Sequence, residues 1–320
     1  MTLSFWKYKE EQHGDGRLKY WVYFLCDFAR LNAYDIDRQL WFQVPRIIKD
    51  ACPMDGYKDS IAMGRNLLVF FKGKGVEHTQ FCQFKYTIEH NYWSWAPPMN
   101  CPRSLFGSAS VGHKAYLAGG IDYHGTVLSS AETYDCLQKR LDPLPSMNRA
   151  RMLCSGVFMD GKVYVIGGKG SNNEELTCGE EYDFESWRVI EKMTEGLHVR
   201  VKSFGAPPLV AVVNNELYGA DYIEKNVKKY DKKNNRWITL GRWPESITSS
   251  SRNGWGICFK ACGEQLIMIG WATVFSTTWL SEPMVELYSW VPDGRPPAWN
   301  LIASKRGTRG SEYHAAVISC

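Results

Sequence analysis

Residues 154–182 read CSGVFMDGKVYVIGGKGSNNEELTCGEEY, and the fold follows from how this stretch is punctuated. Two short apolar runs are split by the turn Asp160-Gly161. The pair Gly167-Gly168 and a polar loop follow, and a third run ends at Tyr182-Asp183. Runs of this length with turn residues between them describe an antiparallel meander. One meander cannot bury both of its faces, so the pattern requires copies of itself.

The copies are present. Tyr34, Tyr86, Tyr134, Tyr182, Tyr230 and Tyr288 stand at matching points, with successive spacings of 52, 48, 48, 48 and 58 residues. A tryptophan follows seven residues later at Trp41, Trp93 and Trp237. The third copy has Leu141 in that place, the fourth has Trp187 five residues after its tyrosine, and the sixth reaches Trp299 after a proline-rich insertion. Gly-Gly is explicit at Gly119-Gly120 and Gly167-Gly168, while other copies read Phe71-Lys72, Asp221-Tyr222 and Gly270-Trp271. Paired glycines allow a tight turn at a crowded strand end, and Tyr and Trp supply large bodies for packing one unit on the next.

A period near fifty residues with four strands per unit resembles the kelch repeat. The expected architecture is all-β: a six-bladed kelch-type β-propeller over 21–320, preceded by a polar lead-in over 1–20. The first blade lacks one strand, and YHAAVIS (313–319) is left over at the other end. The C-terminal strand is therefore expected to complete blade one and close the ring, which protects sheet edges.

Composition narrows the function. The 320 residues are 44% hydrophobic and 14% aromatic, which suits a packed protein rather than a disordered one. A net charge of +4, without an aromatic-laced basic run, gives no reason to expect nucleic acid. No apolar stretch reaches membrane-spanning length. Ten cysteines lack CxxC pairs, and no secretory leader or Asn-x-Ser/Thr acceptor occurs, so free thiols in an intracellular compartment, cytosol or nucleus, are expected. Cys258 and Cys262 are read as buried strand cysteines acting as small hydrophobes. Phosphate-loop, dinucleotide, zinc-protease and nucleophile-elbow motifs are all missing. The seven histidines are dispersed, so no catalytic, metal or cofactor site is read.

Binding residues are expected on loops of one face, where the linkers between blades meet the loops after each Gly-Gly position. Basic residues recur in the linkers: Arg103, Arg151, Arg200, Arg252 and Arg309. Two readings stand side by side. The arginines converge on the channel mouth and hold an acidic or phosphorylated segment of a target protein, or each caps carbonyls of a neighbouring blade. Lys169 and the loop aromatics Tyr123, Phe275 and Trp279 complete the partner-binding candidates, with Tyr57, Phe204 and Trp243 as further loop aromatics.

Longer strings sharpen the resemblance: WVYFLC (21–26), LFGSAS (105–110), MLCSGVFMDGKVYVIGG (152–168), LTCGEEYD (176–183), APPLVAVVNNELY (206–218), NGWG (253–256) and YSWVP (288–292). Together they look like the plant F-box/kelch-repeat proteins over about residues 20–320. That resemblance implies a non-catalytic propeller that selects a target for a cullin-type (SCF) ubiquitin ligase, with an F-box docking the Skp-type adaptor. The first 20 residues have no room for a three-helix F-box, so the resemblance makes the lead-in over 1–20 a possible remnant after a missing F-box, and adaptor and cullin are expected as partners only if an F-box exists in the full-length protein. An adaptor or decoy without a ligase link is the alternative, and a metal-dependent kelch enzyme a third.

Overall fold

The computed structural model describes residues 20–27, 30–45, 47, 58–74, 79–197, 205–247, 253–273, 283–306 and 314–319. Nearly every apolar run becomes a strand, and short turns keep the strands antiparallel. In chain order β1 (Tyr20–Asp27), β2 (Arg30–Asp35) and β3 (Leu40–Gln43) come first. Then follow β4 (Lys58–Met63), β5 (Asn66–Lys74), β6 (Thr79–Thr87) and β7 (Tyr92–Trp95). The third group is β8 (Gly107–Val111), β9 (Lys114–Ala118), β10 (Ala131–Asp135) and β11 (Arg140–Leu144). The fourth is β12 (Ser155–Met159), β13 (Lys162–Ile166), β14 (Gly179–Tyr182) and β15 (Trp187–Ile190). Next are β16 (Leu209–Val213), β17 (Glu216–Asp221), β18 (Asn226–Asp231) and β19 (Arg236–Arg242). The last are β20 (Cys258–Cys262), β21 (Gln265–Thr273), β22 (Pro283–Trp290), β23 (Asn300–Arg306) and β24 (His314–Ser319).

These strands hydrogen-bond into four-stranded sheets, each a simple meander except the first, whose order is β24-β1-β2-β3. There β24 runs antiparallel to β1, with Val22 opposite Val317. Asp160 and Gly161, both at positive φ (52° and 70°), turn β12 into β13. Positive φ at both central residues is what a two-residue hairpin with the native strand twist needs.

The apolar core lies between sheets rather than within one. Ile61, Met63, Leu68 and Phe70 of the second sheet pack on Phe106, Leu117 and Tyr134 of the third. Val157, Tyr164 and Ile166 of the fourth meet Leu217 and Tyr230 of the fifth. Val22 and Tyr34 of the first meet Cys258, Ile267 and Val285 of the sixth. A sheet covered on both faces needs continuous rather than alternating burial, and β10 is buried at all five positions, whereas the outer β11 is not.

Cross-strand register explains the Tyr and Trp positions. Tyr34 faces Trp41, Tyr86 faces Trp93 and Tyr230 faces Trp237, with ring centroids 4.9, 5.1 and 5.2 Å apart. Trp187 also lies directly opposite Tyr182, at 4.9 Å. Its shorter spacing is therefore a tighter turn through 183–186 and not a displaced tryptophan. Leu141 faces Tyr134 within a regular outer strand. Outer-strand indoles also stitch sheets together. Nε1–H of Trp93 donates to Pro45 O at 2.8 Å, Trp187 to Pro145 O at 2.8 Å and Trp237 to Met193 O at 2.9 Å, each in the linker before its own sheet.

Cys101, Cys136, Cys154, Cys178, Cys258 and Cys262 are free thiols. Cys82 departs from the free-thiol expectation and is disulfide-bonded.

Candidate functional site

The site is built where the linkers meet the loops after the Gly-Gly pairs. Gly120 and Gly168 have φ of 94° and 99°, and a Cβ on either would stand 2.5 Å from a linker carbonyl, Ser104 O or Met152 O. Only a residue without a side chain permits that approach. Isolated bridges Ser104–Ile121 and Met152–Lys169 then lay each linker against the loop of its own blade.

Arg103 and Arg151 stand at the same point of two successive linkers, and both are buried, at 1% and 0% exposure. Arg103 donates to Cys101 O, Gly119 O and Ser130 O at 3.0, 3.1 and 2.6 Å and to Glu132 Oε1 at 3.1 Å. Arg151 repeats this with Gly167 O at 2.9 Å, Cys178 O at 3.1 Å and Glu180 Oε1 at 2.7 Å. Asn100 and Asn148 finish the nodes: backbone and side-chain N–H groups of each donate to Glu132 Oε2 or Glu180 Oε2. Burial pulls the Arg103 guanidinium below its ordinary range, with Glu132 opposing. These two arginines cap carbonyls of their own linker and blade rather than a neighbouring one and close a buried ion pair, so the reading that they hold a partner is corrected at Arg103 and Arg151.

The fifth sheet carries the same node with its charges exchanged. Lys228 occupies the position of Glu132 and Glu180, and Asp221 replaces the first glycine of the pair. Lys228 Nζ donates to Asp221 Oδ2 and Gly196 O, both at 2.7 Å, and meets Glu224 at 2.8 Å. Burial pulls the ammonium down, but the two carboxylates outweigh it and hold it above its ordinary range. The 48-residue offset of Asn100, Arg103 and Glu132 from Asn148, Arg151 and Glu180 was the signal for this node, and the glutamates and asparagines are the members that linker reading alone misses.

Among the other candidates, Lys169 is only 4% exposed, and its ammonium donates to Asn173 Oδ1 at 3.0 Å within its own loop. Tyr123 is 61% exposed and lies against His124, with centroids 3.8 Å apart. Trp243 is buried core rather than a loop anchor. Arg200, Arg252, Arg309, Phe275 and Trp279, with Tyr57 and Phe204, lie outside the described residues. Among the described residues no group of three or more His, Cys, Asp or Glu is placed to hold a metal ion, and no helix is long and apolar enough to cross a membrane.

Between the linkers opens a channel. Its mouth is lined by Asp59 of β4, Phe106 and Ser108, Ser155 and Pro208, and Lys260 of β20. Deeper in, residues of β4, β8, β12, β16 and β20 and Val317 of β24 form its wall. Desolvation pushes the Asp59 carboxyl up to about 6, with the charge of Lys260 and the Ser60 N–H opposing.

Comparisons with known proteins agree with this architecture. A profile of the Kelch motif matches residues 102–148 and 150–194, the two units that carry Gly-Gly and the Arg–Glu node. A solved protein titled "Structure of YjhT" superposes with a TM-score of 0.61 at 12% identity, covering 88% of this chain and 94% of the other, which supports the fold alone. The Arabidopsis thaliana F-box/kelch-repeat protein At1g26930 is 41% identical over 316 residues, spanning 95% of this chain and 72% of the relative. F-box/kelch-repeat protein SKIP11 of the same plant is 42% identical over 315 residues, 96% of this chain and 65% of the relative. A third Arabidopsis relative, At1g74510, is 40% identical over 321 residues, 95% of this chain and 68% of the relative. An all-β kelch-type propeller with this identity over nearly its whole length belongs to the F-box/kelch-repeat family.

Proposed function

We propose that this chain is the target-recognition part of a cullin-type (SCF) ubiquitin ligase, without catalytic chemistry of its own, and that it works inside the cell. The observation that carries the reading is the identity of 41% over 316 residues to an F-box/kelch-repeat protein. The geometry supports it in a second way. The recurring charged pairs of the loop face, Arg103–Glu132 and Arg151–Glu180, are buried scaffold, which leaves the loop tips around Tyr123 and the channel mouth to meet a target. Rigid nodes beneath variable loops are the arrangement that recognition surfaces use.

The same reading holds the propeller to six blades closed by the C-terminal strand, supported by the antiparallel pairing of β24 with β1. Its test is deletion of residues 313–320, which is expected to lower the melting point of the whole domain; a deleted chain that melts like the intact one overturns the closure. The ligase role is tested by affinity purification of the full-length protein from plant cells. Co-purification of a Skp-type adaptor with a cullin, and accumulation of a bound target when the protein is removed, is the expected result. Full-length protein that captures targets without adaptor or cullin overturns it in favour of an adaptor or decoy.

A further inference from the structure

The third and fourth sheets are each tied to the linker before them by an Arg–Glu node, and Lys228 of the fifth reaches both Gly196 O and Asp221. The second sheet has no such charge. Two residues before its tyrosine, where Glu132 and Glu180 precede Tyr134 and Tyr182, stands Phe84, a buried ring that cannot receive a guanidinium. Four residues before the same tyrosine stands Cys82, at the position of Ser130 and Cys178. Those two residues are where the linker arginines end: Arg103 donates to Ser130 O at 2.6 Å and Arg151 to Cys178 O at 3.1 Å. In the second sheet that point carries a disulfide instead.

Cys82 is 3% exposed and shares a buried cluster with Val44 and Ile47 of the preceding linker and with Phe71 and Phe84 of its own sheet. Of the ten cysteines, Cys101, Cys136, Cys154, Cys178, Cys258 and Cys262 are free, so the other half of the bond is Cys26, Cys52 or Cys320. Cys26 belongs to β1, Cys52 precedes β4 and Cys320 follows β24. Each choice carries the bond out of the second sheet and ties β6 to another part of the chain.

Six free thiols beside one disulfide are not the framework of a protein built for an oxidising compartment, where cysteines pair throughout. A lone disulfide among thiols is the arrangement found where the bond forms and breaks in response to redox state.

We propose that Cys82 is half of a reversible disulfide, a redox-controlled clamp that holds the second sheet where its neighbours use an ion pair. A dithiol reductant supplies the two electrons and two protons that open it. One thiolate of the reductant attacks a sulfur of the bond, giving a mixed disulfide and one released thiol. The second thiol of the reductant then displaces the remaining cysteine, and the reductant leaves as its own disulfide. The chain is left with two thiols and no carboxylate at Phe84 to replace the clamp, so β6 is held less firmly. This goes beyond the ligase reading and does not depend on it.

The test begins with the full chain purified without reductant, its free thiols blocked with N-ethylmaleimide and the protein digested unreduced. A peptide linking Cys82 to Cys26, Cys52 or Cys320 is expected. Unblocked, folded protein is then treated with dithiothreitol and followed by differential scanning fluorimetry and hydrogen exchange. Reduction is expected to go to completion without denaturant and to lower the melting point by about 5 °C, the scale of a lost disulfide in a domain of this size. Exchange is expected to rise about tenfold in peptides of β6 and to stay unchanged in those of β13, and glutathione disulfide is expected to restore both readings. Cys82→Ser, or Cys82→Ala if the serine variant does not fold, is expected to melt like the reduced wild type and to ignore dithiothreitol. Recovery of Cys82 as a blocked free thiol overturns the proposal, as does a bond that dithiothreitol opens only after unfolding. A reduced chain that melts and exchanges like the oxidised one also overturns it, as does a Cys82 variant that still responds to dithiothreitol.

Discussion

Arg151→Met tests whether the linker arginines are scaffold. Both side chains of the Arg151–Glu180 pair have no exposed surface, and their contact is 2.7 Å. Removing one partner of a buried, hydrogen-bonded pair costs about 3–5 kcal/mol. Here the loss is moderated. Glu180 keeps the Asn148 N–H and Nδ2–H at 2.8 and 2.9 Å and the Arg149 N–H at 3.0 Å, and Cys178 O keeps the Gly167 N–H at 3.1 Å. The lower end of the range, about 3 kcal/mol, is therefore expected, which lowers the melting point by about 5 °C for a domain of this size. Glu180→Gln leaves a buried guanidinium and is expected to cost more, about 4 kcal/mol. The double variant removes both charges and is expected to recover about 2 kcal/mol of the summed losses, the coupling typical of residues in contact. Guanidinium chloride unfolding followed by tryptophan fluorescence measures all three. An Arg151→Met protein that unfolds with the wild type but no longer binds its target refutes the reasoning, because the guanidinium would then be reaching outward.

Gly168→Ala forces a Cβ to 2.5 Å from Met152 O at φ 99°, and a loss of about 2 kcal/mol or more is expected in the same unfolding assay. Trp187→Phe removes the indole donor to Pro145 O and is expected to cost about 1 kcal/mol, with ring stacking on Tyr182 retained. Asp59 gives a pH signature. Its carboxyl is raised from 3.8 to about 6, so the folded chain favours the protonated form. That contribution to stability is complete below about pH 4 and is lost as pH rises through 6, so Asp59→Asn is expected to be more stable than the wild type at pH 7, by up to about 3 kcal/mol, and no different near pH 4. Urea unfolding across that pH range checks the sign; a variant less stable than wild type at pH 7 refutes it.

The repeat was legible because it is written in local chemistry. Asp160-Gly161 turns one hairpin, Gly167-Gly168 admits a linker, and Tyr182 marks a fixed point of each meander, all within one period. Those features recur wherever the same short-range geometry recurs, so strand order and the class of fold follow from the string alone. What the string left open depends on contacts between units. Trp187 looked misplaced by counting, yet hydrogen-bond register sets it opposite Tyr182, because a shorter turn changes spacing without changing pairing. The string leaves open whether Arg103 and Arg151 face a partner or cap carbonyls, and only packing shows their glutamates, 29 residues further along the chain and folded back beneath them. Asp59 and Lys260 carry no motif. They lie in the second and sixth sheets, and they share a channel because radial packing brings the innermost strands of distant repeats to one axis. Local sequence determines a blade, while the charges that face the channel are decided by how the blades assemble.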